Sequence, residues 1–172
     1  NMNVGIKILV PLLVLAMLAT VVLPVSYAEP MDEPEALYRV TSIRGVARMR
    51  VGDEVVEVEA SLEATVKVIT VWKNVTFFVV MDGEIRIGDR CYDIAKGWWV
   101  GLYHIPSGRA IYQGFARSED GGRLGFMLHS RDFGETEEGG TLMRIVGVFG
   151  ERFDDSTSRG RMFFEAIRIK LP

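Results

Sequence analysis

Two histidines, one cysteine and a scatter of carboxylates are the side chains here that could carry chemistry. His104 and His129 fall in different strand-like stretches. Beside Tyr112, Asp132 or Glu165, an imidazole could move protons or hold a metal. Nothing in the spacing brings those groups together, so each histidine is expected as a half-exposed residue on a strand. Glu165 alternates with Phe163, Ile167 and Ile169. Buried there, it would need a cation such as Arg144 or Arg117. If that face is the outer one, Glu165 is simply solvated, and this is the preferred reading.

Asp132, Glu135, Glu137 and Glu138 cluster in one stretch. Oxygen-rich loops of this kind can hold calcium. The spacing is not that of an EF-hand, so Asp132, Glu135 and Glu137 are metal candidates only, in a loop expected over 131–140. No cofactor is expected. Glycine-rich phosphate loops, His-Glu-x-x-His, Cys-x-x-Cys and Gly-x-Ser-x-Gly are all absent from the sequence. Cys91 stands alone, so it forms no intramolecular disulfide and reads as a small buried hydrophobe. Asn74-Val75-Thr76 is an N-glycosylation sequon, meaningful only in an exported chain.

The densest aromatic stretch must position any site. Gly97 to Arg117 reads as two strands joined by Pro106-Ser107-Gly108. Proline suits the first central position of a type I turn, and glycine suits the left-handed position after it. This three-residue loop sets Leu102 opposite Tyr112 and Trp99 opposite Phe115. Val100, Leu102 and Tyr112 are then expected inside. Trp99, Tyr103, Ile111 and Phe115 form an outer apolar stripe able to meet a partner or membrane. Trp98, Leu102, His104 and Tyr112 are the ligand-facing candidates, and His104, Tyr112 and Glu165 the acid–base candidates.

The same pattern of strand and turn fills most of the chain. Gly52-Asp53, Asp82-Gly83 and Gly88-Asp89 are turn dipeptides, and a break is expected near Lys73-Asn74. A further long loop is expected over 151–160. About ten strands result, and no amphipathic helix of ten residues stands out. The expected fold is all-β, a single antiparallel meander closed or nearly closed into a barrel, with a β-sandwich as the alternative. Mid-strand glycines at 101, 114, 125 and 147 favour the curvature of a barrel. This pattern is similar, in fold alone, to small secreted barrels such as the lipocalin and dirigent-like classes. None of their motifs is present, so no residue role follows from the likeness.

Residues 1–28 read as a secretory signal or an uncleaved anchor. Lys7 precedes an apolar run from Ile8 to Val25, and Ser26-Tyr27-Ala28 fits cleavage after Ala28. Residues 29–36 form an acidic, proline-containing linker to a domain over 37–172. Beyond Ala28 the chain holds 19 Lys and Arg against 23 Asp and Glu, which argues against nucleic acid as a partner. Fifteen arginines, five lysines and few amides hint at heat adaptation. The expectation is an exported or cell-surface domain that binds a small apolar ligand or a protein partner without catalysis. A barrel-mouth enzyme and a subunit of a surface assembly are the alternatives. Membrane anchoring is expected only through residues 1–28, if they are left uncleaved.

Overall fold

A computed structural model describes residues 31–153 and 156–172. Eight strands run in sequence order: β1 (Leu37–Val51), β2 (Glu54–Trp72), β3 (Val75–Ile87), β4 (Arg90–His104), β5 (Arg109–Arg117), β6 (Arg123–Glu135), β7 (Thr141–Phe153) and β8 (Ser156–Lys170). Each pairs antiparallel with the next, and β8 pairs with β1 to close the ring. Inward side chains alternate with outward ones, as the pleat requires. Leu62, Phe78, Ile94, Leu124, Leu128 and Ile145 are among those fully withdrawn from solvent. Eight strands enclose just enough room for side chains to fill, and here they fill it.

Closure removes the β-sandwich alternative. The expected ten strands become eight because long strands run on through bulges. Asp82-Gly83 is not a hairpin turn. It lies inside β3, where Asp82 and Gly83 pair with Thr65 and Ala64. Gly83 has φ +147°, and a Cβ there would lie 2.2 Å from the Glu63 carbonyl oxygen. The glycine therefore serves a bulge pressed against β2, not a reversal. Half of the loop expected over 131–140 and most of that expected over 151–160 fall within strands, since β6 continues to Glu135, β7 to Phe153, and β8 begins at Ser156. Gly52-Asp53, Lys73-Asn74 and Gly88-Asp89 are two-residue turns between paired residues.

The aromatic hairpin differs by one residue from expectation. Ile105–Ser107 forms a short 3-10 turn, and Gly108 takes the left-handed conformation at φ 58°. The loop thus has four residues, and His104 faces Arg109. Leu102 now faces Ile111, Trp99 faces Gly114 and Trp98 faces Phe115. A one-residue slip exchanges the faces of one strand. Trp99, Gly101 and Tyr103 point inward with Tyr112, while Trp98, Val100 and Leu102 point outward. Tyr112 is inside as expected, and Val100 and Leu102 are not. Gly101 is required inside, because a Cβ there would meet the Phe78 ring at 2.2 Å.

Three turns, at 73–74, 105–108 and 136–140, mark the upper end of the barrel, with the start of β1 and the end of β8. Residues 31–36 lie against this end. Met31 is buried, and its carbonyl accepts a hydrogen bond from Thr76 Oγ1. The Glu35 amide donates to the Val68 carbonyl at 3.1 Å, and Val68 returns one to Ala36 at 2.9 Å. Glu33 pairs with Lys170 and Glu35 with Lys67. The Ile8–Val25 run and the expected cleavage point lie outside the described residues. No described helix is long and apolar enough to cross a membrane.

Candidate functional site

The residues singled out from sequence do not converge. His104 ends β4 on the outer side, its Nδ1 2.7 Å from Ser107 Oγ. Tyr112 is inside, its hydroxyl bonded to Ser130 and its ring edge-on to Phe78 and Trp99. Burial and the low-dielectric surroundings push its phenol well above the ordinary range. Glu165 is on the outer wall of β8, 2.7 Å from Arg44 and 3.7 Å from Arg144. The Arg44 hydrogen bond holds its carboxyl below the usual carboxylate value. His129 is outward on β6. These acid–base candidates therefore occupy three different surfaces.

Of the ligand-facing set, Trp98, Leu102 and His104 share the outer face and Tyr112 faces the core. Trp98 is 48% exposed and sits edge-on to Phe115, with ring centres 5.7 Å apart. Across β3, β4 and β5 the outward residues pair as Phe77 with Leu102, Leu102 with Ile111, and Val79 with Val100. With Trp98 and Phe115 they make one apolar wall. Contiguous patches of this sort mark interaction surfaces more often than scattered single residues do. The stripe expected outside is thus present, with Trp98, Val100 and Leu102 in place of Trp99 and Tyr103.

The metal candidates are separated too. Glu135 and Glu137 lie at the upper rim, while Asp132 points into the barrel. Among the described residues no group of three His, Cys, Asp or Glu side chains is placed to hold a metal ion. Asp132 instead accepts from Arg168 Nη2 at 3.0 Å and from the Tyr103 hydroxyl at 2.8 Å. Arg168 lies 4.9 Å from the centre of the Tyr103 ring. Burial pushes the Asp132 carboxyl upward against the pull of Arg168. Arg168 is discouraged by burial, yet Asp132 and Tyr103 outweigh that and hold its charge more firmly than usual. This buried set was legible only in part. Arg168 shares the phase of Phe164 and Ala166, which marks it as inward if Glu165 is outward.

A second polar set lies at the lower end, under a cleft of about 480 Å³. Glu151 is buried and accepts from Arg90 at 2.5 Å, from Ser158 at 2.7 Å and from the Tyr92 hydroxyl. Arg90 also lies over the Phe153 ring, 5.0 Å from its centre. Burial alone would raise the Glu151 carboxyl; the three donors outweigh it and hold the group below its ordinary 4.5. A lowered native value means that this stability exists above pH 4.5 and is lost as pH falls through the native value. Glu151→Gln should therefore be less stable than wild type at neutral pH, with the gap narrowing at acid pH as the carboxylate takes up its proton. Urea unfolding midpoints at neutral and acid pH check this. A gap that stays constant would mean that the carboxylate charge is not what the three donors recognise.

Cys91 is half-buried, and its thiol donates to Glu84 at 3.2 Å. Burial, then the Glu84 contact, pushes the thiol upward, so it is a poor nucleophile. Asn74 is exposed in the turn between β2 and β3. No family model matches the chain, and no curated protein matches it.

Proposed function

We propose that this protein is an exported, extracytoplasmic binding module that holds a protein partner on the outer apolar wall of β3–β5 without catalysis. One observation carries this reading. The barrel interior is filled with side chains, while Phe77, Trp98, Val100, Leu102 and Ile111 form a continuous apolar surface outside. A filled interior leaves little room for a small apolar ligand, so the protein-partner reading is the stronger of the two. The Ile8–Val25 run followed by Ser26-Tyr27-Ala28 supports export. An enzyme at the barrel mouth has the Glu151–Tyr92 set as its best support. There Glu151 already accepts three hydrogen bonds, which leaves little basicity for catalysis.

Photo-crosslinking in cells tests the proposal. A benzophenone amino acid at Val100 should give one adduct of defined mass with a second protein. The same group at Arg48, on the charged β1 wall, should not. Equal labelling at both positions, or none at Val100, would reject the β3–β5 wall as the docking surface.

A further inference from the structure

The other outward walls carry charge in an arrangement that the single barrel does not satisfy. On β5, β6 and β7 the arginines face one another across the strands. Arg109 faces Arg131, and Arg131 faces Arg144, near the upper end. Arg117 faces Arg123, and Arg123 faces Arg152, near the lower end. Like charges directly opposite in a sheet are destabilising. Arg144 is relieved by Glu165 at 3.7 Å. Arg109, Arg123, Arg131 and Arg152 are exposed and have no carboxylate partner among the described residues. Between the two rows lie Met127, Val146 and Val148, pointing outward.

The opposite sign collects elsewhere on the barrel. The β3–β4 pairing is interrupted between Val79 and Glu84, beside a cleft of about 800 Å³. Among the described residues, seven carboxylates line it against two arginines, Arg39 and Arg90, and one of the seven, Glu84, is paired with Arg86. Glu63, Asp82 and Asp89 are exposed and have no cationic partner among the described residues. The cleft is centred near β3 and the arginine wall on β6, three strands further round the ring. The cleft's rim at Glu119 and Asp120 borders the lower arginine row, where Asp93 faces Arg117, but the upper row lies at the other end of the barrel, so one molecule does not bring Arg109 and Arg131 against the cleft.

We propose that the arginine wall of one molecule docks on the acidic cleft of a second copy of this chain. The complement is present in the chain itself, and the totals nearly balance: the net charge is −3. A surface built for a nucleic acid or another polyanion would come with a basic excess over the whole domain. Because the two surfaces differ, the contact is heterologous. It propagates head to tail and closes into a ring or continues as a filament. The two walls adjoin on β5, but the contact uses the arginines and not Phe77, Val100 or Leu102, so either proposal can fail without the other.

Two variants that each lose one surface test the proposal by sedimentation of the purified chain. The wild type should form oligomers at about 20 mM salt and dissociate at about 500 mM, where charges are screened within a few ångströms. R109E/R131E keeps the cleft and loses the wall; E63R/D82R keeps the wall and loses the cleft. Each alone should be monomeric, with an unchanged melting temperature as the check on folding. Mixed, they should associate again, because each supplies surfaces complementary in charge to those of the other. A wild type that stays monomeric at about 100 μM in low salt overturns the proposal. So does a mixture that stays monomeric. Flotation with phosphatidylglycerol vesicles that is lost in R109E/R131E, from a monomeric wild type, would assign the wall to a lipid surface instead.

Discussion

Asp132→Ala should destabilise the domain by about 3–5 kcal/mol, the cost of stranding a buried charge. Only 2% of the Arg168 side chain and 4% of the Asp132 side chain reach solvent. Removing the carboxylate leaves the guanidinium over the Tyr103 ring with its main counter-charge gone. The Tyr103 hydroxyl loses its acceptor in the same step. Arg168 cannot escape by losing its proton, since guanidinium stays charged in proteins. The cost belongs to the broken pair rather than to the pair's worth. Replacing both members with apolar residues, as in Asp132→Leu/Arg168→Met, should recover most of the loss. Urea unfolding of the two variants separates these effects. If the double variant is no better than Asp132→Ala, the ion pair itself, and not the stranded arginine, sets the stability at this end of the barrel.

Trp99→Ala should cost about 3–5 kcal/mol, whereas Trp98→Ala should cost less than about 1 kcal/mol. The two residues are neighbours in sequence and differ only in face. Trp99 is 4% exposed and packs edge-on against Phe126 and Tyr112, with ring centres 4.7 and 5.8 Å away. Truncation would open a cavity in a closed ring whose strands are fixed on both sides, which limits collapse. Trp98 loses chiefly its contact with Phe115. The indole Nε1–H of Trp99 is buried and has no hydrogen-bond partner among the described residues. Trp99→Phe should therefore be far milder than Trp99→Ala, because it removes an unsatisfied donor along with some volume. Similar losses at Trp98 and Trp99 in thermal unfolding would mean that the four-residue turn and its register are wrong.

That pair also shows how far local sequence reaches. Alternation of apolar residues and the Pro106–Gly108 turn residues identify a hairpin at Gly97–Arg117 without any coordinates. They do not choose between a three- and a four-residue loop, because both place Gly108 where a left-handed residue is needed. The choice is made across the barrel, where Gly101 must receive the Phe78 ring and Trp99 must fit between Tyr112 and Phe126. Asp82-Gly83 is the same lesson in a different place. The dipeptide satisfies a tight turn and a bulge equally well, and contact with β2 decides for the bulge.

Strand content, antiparallel order and closure were readable because they follow from period-two alternation and short connections. The solvated state of Glu165 was readable too, since a carboxylate among alternating apolar residues is cheaper on the outer face. The inward ion pair of Asp132 and Arg168 was not. Asp132 lies in an acidic run that looks like a loop, and only the pairing of β6 with β7 carries it inside the barrel. Nor was the division of charge between the β6 wall and the β3 cleft. Residues far apart in the chain, such as Arg109, Arg131 and Arg144, become neighbours only when strand register aligns them. Alternation is a property of each strand by itself. Which face turns inward, and which charges meet, depends on contacts between strands, and those exist only once the ring has closed.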